Sequence, residues 1–81
     1  SGRVVQHRLT IAEGLTVFQV AEMLRQLPKL SGDISRMPAE GSLLPETYFY
    51  VLGDRRQALL DRMAADMARV LAAAWASRDM S

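Results

Sequence analysis

Two carboxylates, Glu40 and Glu46, stand six positions apart in the stretch Glu40-Gly41-Ser42-Leu43-Leu44-Pro45-Glu46-Thr47-Tyr48. A carboxylate pair flanking a sugar linkage is glycosidase equipment: one donates a proton, the other attacks or activates water. Such pairs sit about 5–5.5 Å apart in retaining enzymes and about 6.5–9.5 Å apart in inverting ones. Six extended residues span up to about 20 Å, so only a tight turn at Gly41 or Pro45 would bring these two together. One of them would also need a raised pKa and hence an apolar enclosure. A chain of 81 residues has little material for one. The simpler expectation for Glu40 is a turn carboxylate that accepts N–H groups of Gly41-Ser42.

The remaining reactive residues are sparse. His7 is the single histidine and there is no cysteine, so no metal site is expected. Lys29, the single lysine, follows Pro28 with no phosphate-cradling motif around it, which argues against pyridoxal phosphate chemistry. Tyr48 and Tyr50 share one face of a predicted strand and Phe49 takes the other; at least one of these faces is expected in the core. Arg55-Arg56 opens a predicted helix, where the macrodipole disfavours cations. That pair is a candidate for an anionic partner such as a peptide carboxylate, against the plainer reading of two solvated side chains.

The elements that would position these groups can be read from pattern. Val4 to Ile11 alternates, with Val5, His7, Leu9 and Ile11 on one side, as a half-buried strand does. Glu13-Gly14 turns the chain. Thr16 and Gln19 form a capping box, with Leu15 and Val20 at the staple positions. The helix from Val17 to about Leu27 carries Val17, Val20, Ala21, Leu24 and Leu27 on one stripe, and Pro28 ends it. Leu30 to Ala39 lacks periodicity and reads as a loop. Gly41 supplies a backbone freedom closed to other residues, and Pro45 pushes Leu44 towards an extended conformation. Thr47 to Leu52 is a strand rich in threonine and aromatics, up to the break at Gly53-Asp54. Its direction relative to the first strand is left open.

Asp54, with Gln57 three residues on, is expected to cap an alanine-rich helix from Arg55 to roughly Ser77. Leu60, Met63, Ala64, Met67, Leu71, Ala74 and Trp75 mark its apolar face. Arg62–Asp66 and Asp66–Arg69 are expected surface pairs. Such a rod, about 33 Å long, outreaches a two-stranded sheet, so part of its apolar face should be uncovered. The expected fold is α+β: a small strand–helix–loop–strand–helix unit with a two-stranded sheet and a long C-terminal helix. It forms one unit over residues 1–81, with segments 3–30, 31–46 and 47–77.

Composition narrows the function classes. A hydrophobic content of 49% suffices for a small core and is far from a disordered composition. A net charge of +1, with nine of the ten basic residues being scattered arginines, argues against nucleic-acid binding. No apolar run approaches the roughly eighteen residues of a membrane span, so no membrane contact is expected of these residues.

The run Glu40-Gly41-x-Leu43-x-Pro45-x-Thr47-Tyr48, followed by Gly53 and a long Met-containing helix, resembles the endolytic murein transglycosylase (YceG-like) family. Leu9-Thr10-Ile11-Ala12-Glu13-Gly14-Leu15-Thr16, then Val20-Ala21 and Leu24, resembles the family's strand, Glu-Gly, Thr and amphipathic-helix segment. The two occur in the family's order and approximate spacing over nearly the whole chain. Where many relatives have an aromatic between Leu43 and Pro45, this chain has Leu44.

The resemblance implies a parent bacterial inner-membrane protein whose periplasmic domain cuts nascent peptidoglycan glycan strands without a cofactor. It places Glu40, Gly41, Leu43, Pro45, Thr47 and Tyr48 at the substrate. The family's catalytic glutamate lies in a segment like Ser-Ile-Val-Glu-Lys-Glu, which these residues do not contain. The chain is therefore expected to be the N-terminal part of the catalytic region, inactive alone, with glycan strands and the catalytic C-terminal half as partners. An old label for the family, aminodeoxychorismate lyase, is excluded here by the pyridoxal phosphate argument above. The alternative function is a glycan-binding or purely structural module, superficially like a LysM domain.

Overall fold

A computed structural model describes the backbone of residues 5–78 and the side chains of residues 5–75. The order is β1 (His7–Thr10), α1 (Val17–Arg25), β2 (Thr47–Tyr50) and α2 (Arg56–Arg78). This is the α+β strand–helix–loop–strand–helix unit expected from pattern. The strands pair antiparallel, with His7 opposite Tyr50 and Thr10 opposite Thr47, which decides the direction.

Both strands are shorter than their alternation suggests. Val4 and Arg3 lie outside the described residues, and Val5 is 70% exposed instead of facing the core. The inward row is thus His7, Leu9 and Ile11, half-buried to buried. At the other end, Leu52 is 75% exposed and the chain turns at Gly53.

α1 forms for the local reasons its sequence gives. The Thr16 hydroxyl accepts from Gln19 N–H at 3.0 Å and the Gln19 amide oxygen accepts from Thr16 N–H at 2.8 Å, so the capping box is complete. Val17, Val20, Ala21 and Leu24 are buried as one stripe and Leu27, just past the helix, is half-buried. They pack with Ile11, Leu30, Leu43, Tyr48, Tyr50, Leu59, Leu60 and Met63 into one core. Burying a side chain such as Leu24 or Leu60 fully stabilises by about 1.5–3 kcal/mol.

The loop after α1 is irregular but pinned. Ser31 N–H donates to the Asp54 carbonyl at 2.8 Å, and Arg56 N–H donates to the Ser31 carbonyl at 3.0 Å. The Gln57 amide oxygen accepts from Ser35 and Arg36 N–H at 2.8 and 2.9 Å. The expected Asp54–Gln57 capping box is therefore not made. The Asp54 carboxylate instead accepts from Val51 N–H at 2.9 Å and closes the turn after β2. Asp54 is used inside its own turn, whereas Gln57 is used on the loop that the fold brings near.

α2 divides in two. Its first turns bury Leu59, Leu60 and Met63 against the core, with Ala64 and Met67 half-buried. From Ala68 to Trp75 every side chain is exposed, including Leu71 at 53% and Trp75 at 63%. The uncovered stretch expected from helix length is present. Asp66 pairs with Arg69 at 2.7 Å. Arg62, expected on Asp66 too, turns instead to β2: its guanidinium donates to the Phe49 carbonyl at 2.6 Å and lies 6.0 Å from the Tyr48 ring centre. The bond ties α2 to the edge of β2.

Candidate functional site

The two Glu-Gly turns, 27 residues apart in sequence, open onto one cleft of about 330 Å³. Ala12, Gly14, Leu15 and Thr16 line it from the first turn. Glu40, Gly41, Leu43 and Pro45 line it from the second. Ile11, Val20 and Met67 supply apolar surface from the sheet end and the two helices. Gly14 and Gly41 both have positive φ, 87° and 78°. A Cβ added at either would meet nothing within 4 Å, so backbone conformation requires the glycines here, not lack of space.

Glu40 sits at the mouth of the second turn because it closes the start of α1. One of its carboxylate oxygens accepts from Val17 N–H at 3.0 Å. Thr16 and Gln19 satisfy two other amides of that end, and Glu40 takes the third from 23 residues away. The positive end of the helix dipole favours its negative charge. The expectation that Glu40 would bond within its own Gly41-Ser42 turn is thus corrected. Ser42 makes that turn by itself, its N–H and hydroxyl both donating to the Ala39 carbonyl. Glu40 is exposed, and its second oxygen makes no hydrogen bond among the described residues.

Glu46 faces elsewhere. Its carboxylate accepts from Thr47 N–H at 3.2 Å, its carbonyl accepts from Ile11 N–H at 2.9 Å, and it does not line the cleft. A Glu40–Glu46 glycosidase pair is not assembled.

Of the six substrate positions implied by the resemblance, the cleft gathers Glu40, Gly41, Leu43 and Pro45. Leu43 is buried at its inner wall. Thr47 lies outside the cleft, its hydroxyl 3.1 Å from that of Thr10 on the outer face of the sheet. Tyr48 is a core residue, 4% exposed, and its hydroxyl donates to the Leu44 carbonyl at 2.6 Å. Burial pushes the Tyr48 phenol up to about 12, with the negative charges of Asp66 and Glu46 adding to the effect. It holds the second turn to the sheet from behind. Tyr50 is likewise buried, its ring centre 5.3 Å from that of His7 with the two planes tilted by 36°.

Ala12, Gly14, Leu15, Thr16 and Met67 were not singled out as site residues by sequence reasoning. The repeated Glu-Gly pair was the available signal for the first turn. Nothing local marks Met67, which reaches the cleft only through the packing of α2.

Arg56, read as half of an anion-binding pair, is committed to the fold. Its guanidinium donates to the carbonyls of Leu24, Leu27 and Gly32 at 2.8, 2.7 and 2.8 Å. That positive group sits at the negative end of α1, where the dipole favours it. Among the described residues no helix is long and apolar enough to cross a membrane, and no three or more His, Asp or Glu side chains gather as metal ligands do.

No match was found among curated proteins or solved structures. The model of the YceG-like family matches residues 1–81, the full length given, and the chain belongs to that family.

Proposed function

We propose that this chain is the glycan-positioning part of a bacterial peptidoglycan lytic transglycosylase, carried on an inner-membrane protein and working in the periplasm. The observation that supports it is the convergence of both Glu-Gly turns on one cleft, with an unused Glu40 oxygen at its rim. In the reaction, an acid protonates the oxygen linking two amino sugars. The C6 hydroxyl of the sugar on the other side of the broken bond then closes onto C1, giving its proton back to the same group. The family's catalytic glutamate segment is not among these 81 residues.

Glu40 is not that acid. A general acid must carry the proton at working pH inside an apolar enclosure. Glu40 is exposed and serves as the charged cap of α1. Its role is positioning: the second carboxylate oxygen accepts a sugar hydroxyl while the first stays on Val17. Leu43 and Pro45 give an apolar wall for C–H surface, and the glycine turns let backbone amides approach the sugar.

Titration of the labelled chain with soluble glycan strands, followed by amide NMR, tests this. Shifts should centre on Gly14, Thr16, Glu40 and Gly41. Absence of any shift there at millimolar glycan would sink the proposal. The chain alone should release no anhydro-sugar products from glycan strands, and measurable release would show that the proton donor is present after all.

A further inference from the structure

We infer that the glycan contact continues out of the cleft and across the outer face of the sheet to Phe49 and Arg8, an inference that rests on reading the cleft as a glycan site. The strand register carries it. β1 and β2 pair from His7–Tyr50 to Thr10–Thr47, and Ile11 N–H donating to the Glu46 carbonyl at 2.9 Å extends the ladder one pair further. One position further along each chain stand Ala12 and Pro45, and both line the cleft. Side chains alternate between the faces of a strand. Arg8 and Thr10 therefore fall in one row, with Phe49 and Thr47 in the row beside it, and Ala12 and Pro45 continue from the ends of these rows into the cleft. The 3.1 Å approach of the Thr10 and Thr47 hydroxyls fixes both rows on the same side. Tyr48 and Tyr50, on the opposite side, are buried.

This face has the chemistry of a sugar surface's complement. Phe49 is 48% exposed and presents a flat apolar ring suited to the C–H face of a sugar. Two hydroxyls beside it can donate to or accept from ring substituents. Arg8 stands directly opposite Phe49, with Cβ atoms about 5 Å apart by the usual antiparallel geometry. It adds a cation for a carboxylate. On the side towards the cleft the ring is bordered by polar groups, Arg8 opposite it and Thr47 two residues before it. Arg62 occupies the Phe49 carbonyl, which blocks addition of a further strand at that point. An extended chain from Pro45 to Phe49 covers about 13 Å, room for more than one sugar ring. The ligand class is a linear amino-sugar chain bearing carboxylates.

The experiment titrates the labelled chain with peptide-free glycan of alternating N-acetylglucosamine and N-acetylmuramic acid, and separately with neutral chitin oligosaccharides. Amides of Arg8, Thr10 and Phe49 should move at the same concentration as those of the cleft. Phe49→Ala should weaken both ligands about five- to tenfold, the loss of one aromatic face. Arg8→Gln, an exposed change that leaves the fold intact, should weaken the muramic-acid glycan and leave chitin binding unaltered. Movement of the cleft amides alone, or wild-type affinity in both variants, overturns the inference and leaves the cleft reading standing. Movement of neither region overturns both. Movement of the sheet face without the cleft overturns the continuous path and the cleft reading together.

Discussion

The two ends of α1 are tied down by charged side chains from distant parts of the chain, yet they are tied in different ways. At the C-terminal end Arg56 spends its guanidinium on three carbonyls, those of Leu24, Leu27 and Gly32. At the N-terminal end Glu40 spends one oxygen on Val17 and leaves the other open on the rim of a cleft. Both obey the same dipole preference. The difference is how much hydrogen-bonding capacity remains. A saturated charge is a structural clamp, whereas a half-used charge at a cleft can serve the fold and a ligand at once.

Arg56→Ala should be the most damaging change on this comparison. It removes three charge-assisted hydrogen bonds in the seam joining α1, the loop and α2, and the expected cost is about 2–4 kcal/mol. Urea or thermal unfolding would measure it. Arg56→Lys should recover only part of the loss, because an ammonium cannot match the fork that reaches three acceptors. Full rescue by lysine would mean that charge alone, not the hydrogen-bond set, holds that end.

Tyr48 bears on the N-terminal side, since its hydroxyl anchors Leu44 in the turn that carries Glu40. Its folded pKa of about 12 lies above the ordinary 10.0. A phenol raised in this way lends stability that is fully present below pH 10 and is lost as pH climbs through 12. The wild-type chain should therefore lose on the order of 2 kcal/mol across that window. Tyr48→Phe should cost about 1 kcal/mol at neutral pH and remove this alkaline loss. An identical alkaline profile in the variant would assign the loss to other groups.

Glu40→Ala should cost about 1 kcal/mol, the ordinary value of a helix cap. Glu40→Gln keeps an amide oxygen for Val17 and should change stability by only a few tenths of a kcal/mol. If the glutamine variant were as damaging as Arg56→Ala, the contrast between the ends of α1 would vanish.

What sequence reasoning could see divides along similar physical lines. The Thr16–Gln19 capping box, the α1 stripe and the inward row of β1 depend on neighbours three or four positions away, or on simple alternation. The capping box and the α1 stripe appear in the structure as read, and the β1 row does so from His7 to Ile11 but not at Val5. The uncovered end of α2 follows from length, and the shared face of Tyr48 and Tyr50 from alternation, which left open whether that face or the Phe49 face was the core. The contacts of Glu40, Asp54, Arg56, Gln57 and Arg62 were misjudged because each has a choice of partners. Local rules offered Asp54 and Gln57 a cap and Arg62 a neighbouring carboxylate. Asp54 took the Val51 N–H of its own turn, while Gln57 and Arg62 took backbone groups of segments that only the fold brings near. Four of the six substrate positions implied by the motif share the cleft. The opposite wall, from Ala12 to Thr16 and Met67, needed the tertiary structure to be seen.

The most direct test compares wild type and Glu40→Gln for both unfolding free energy and affinity for soluble glycan. The substitution leaves the Val17 cap in place and turns the free acceptor at the cleft into a donor. Stability should stay within a few tenths of a kcal/mol while glycan affinity falls about tenfold or more. Equal affinity in the two proteins, with the fold intact, would contradict the assignment of Glu40 to the sugar.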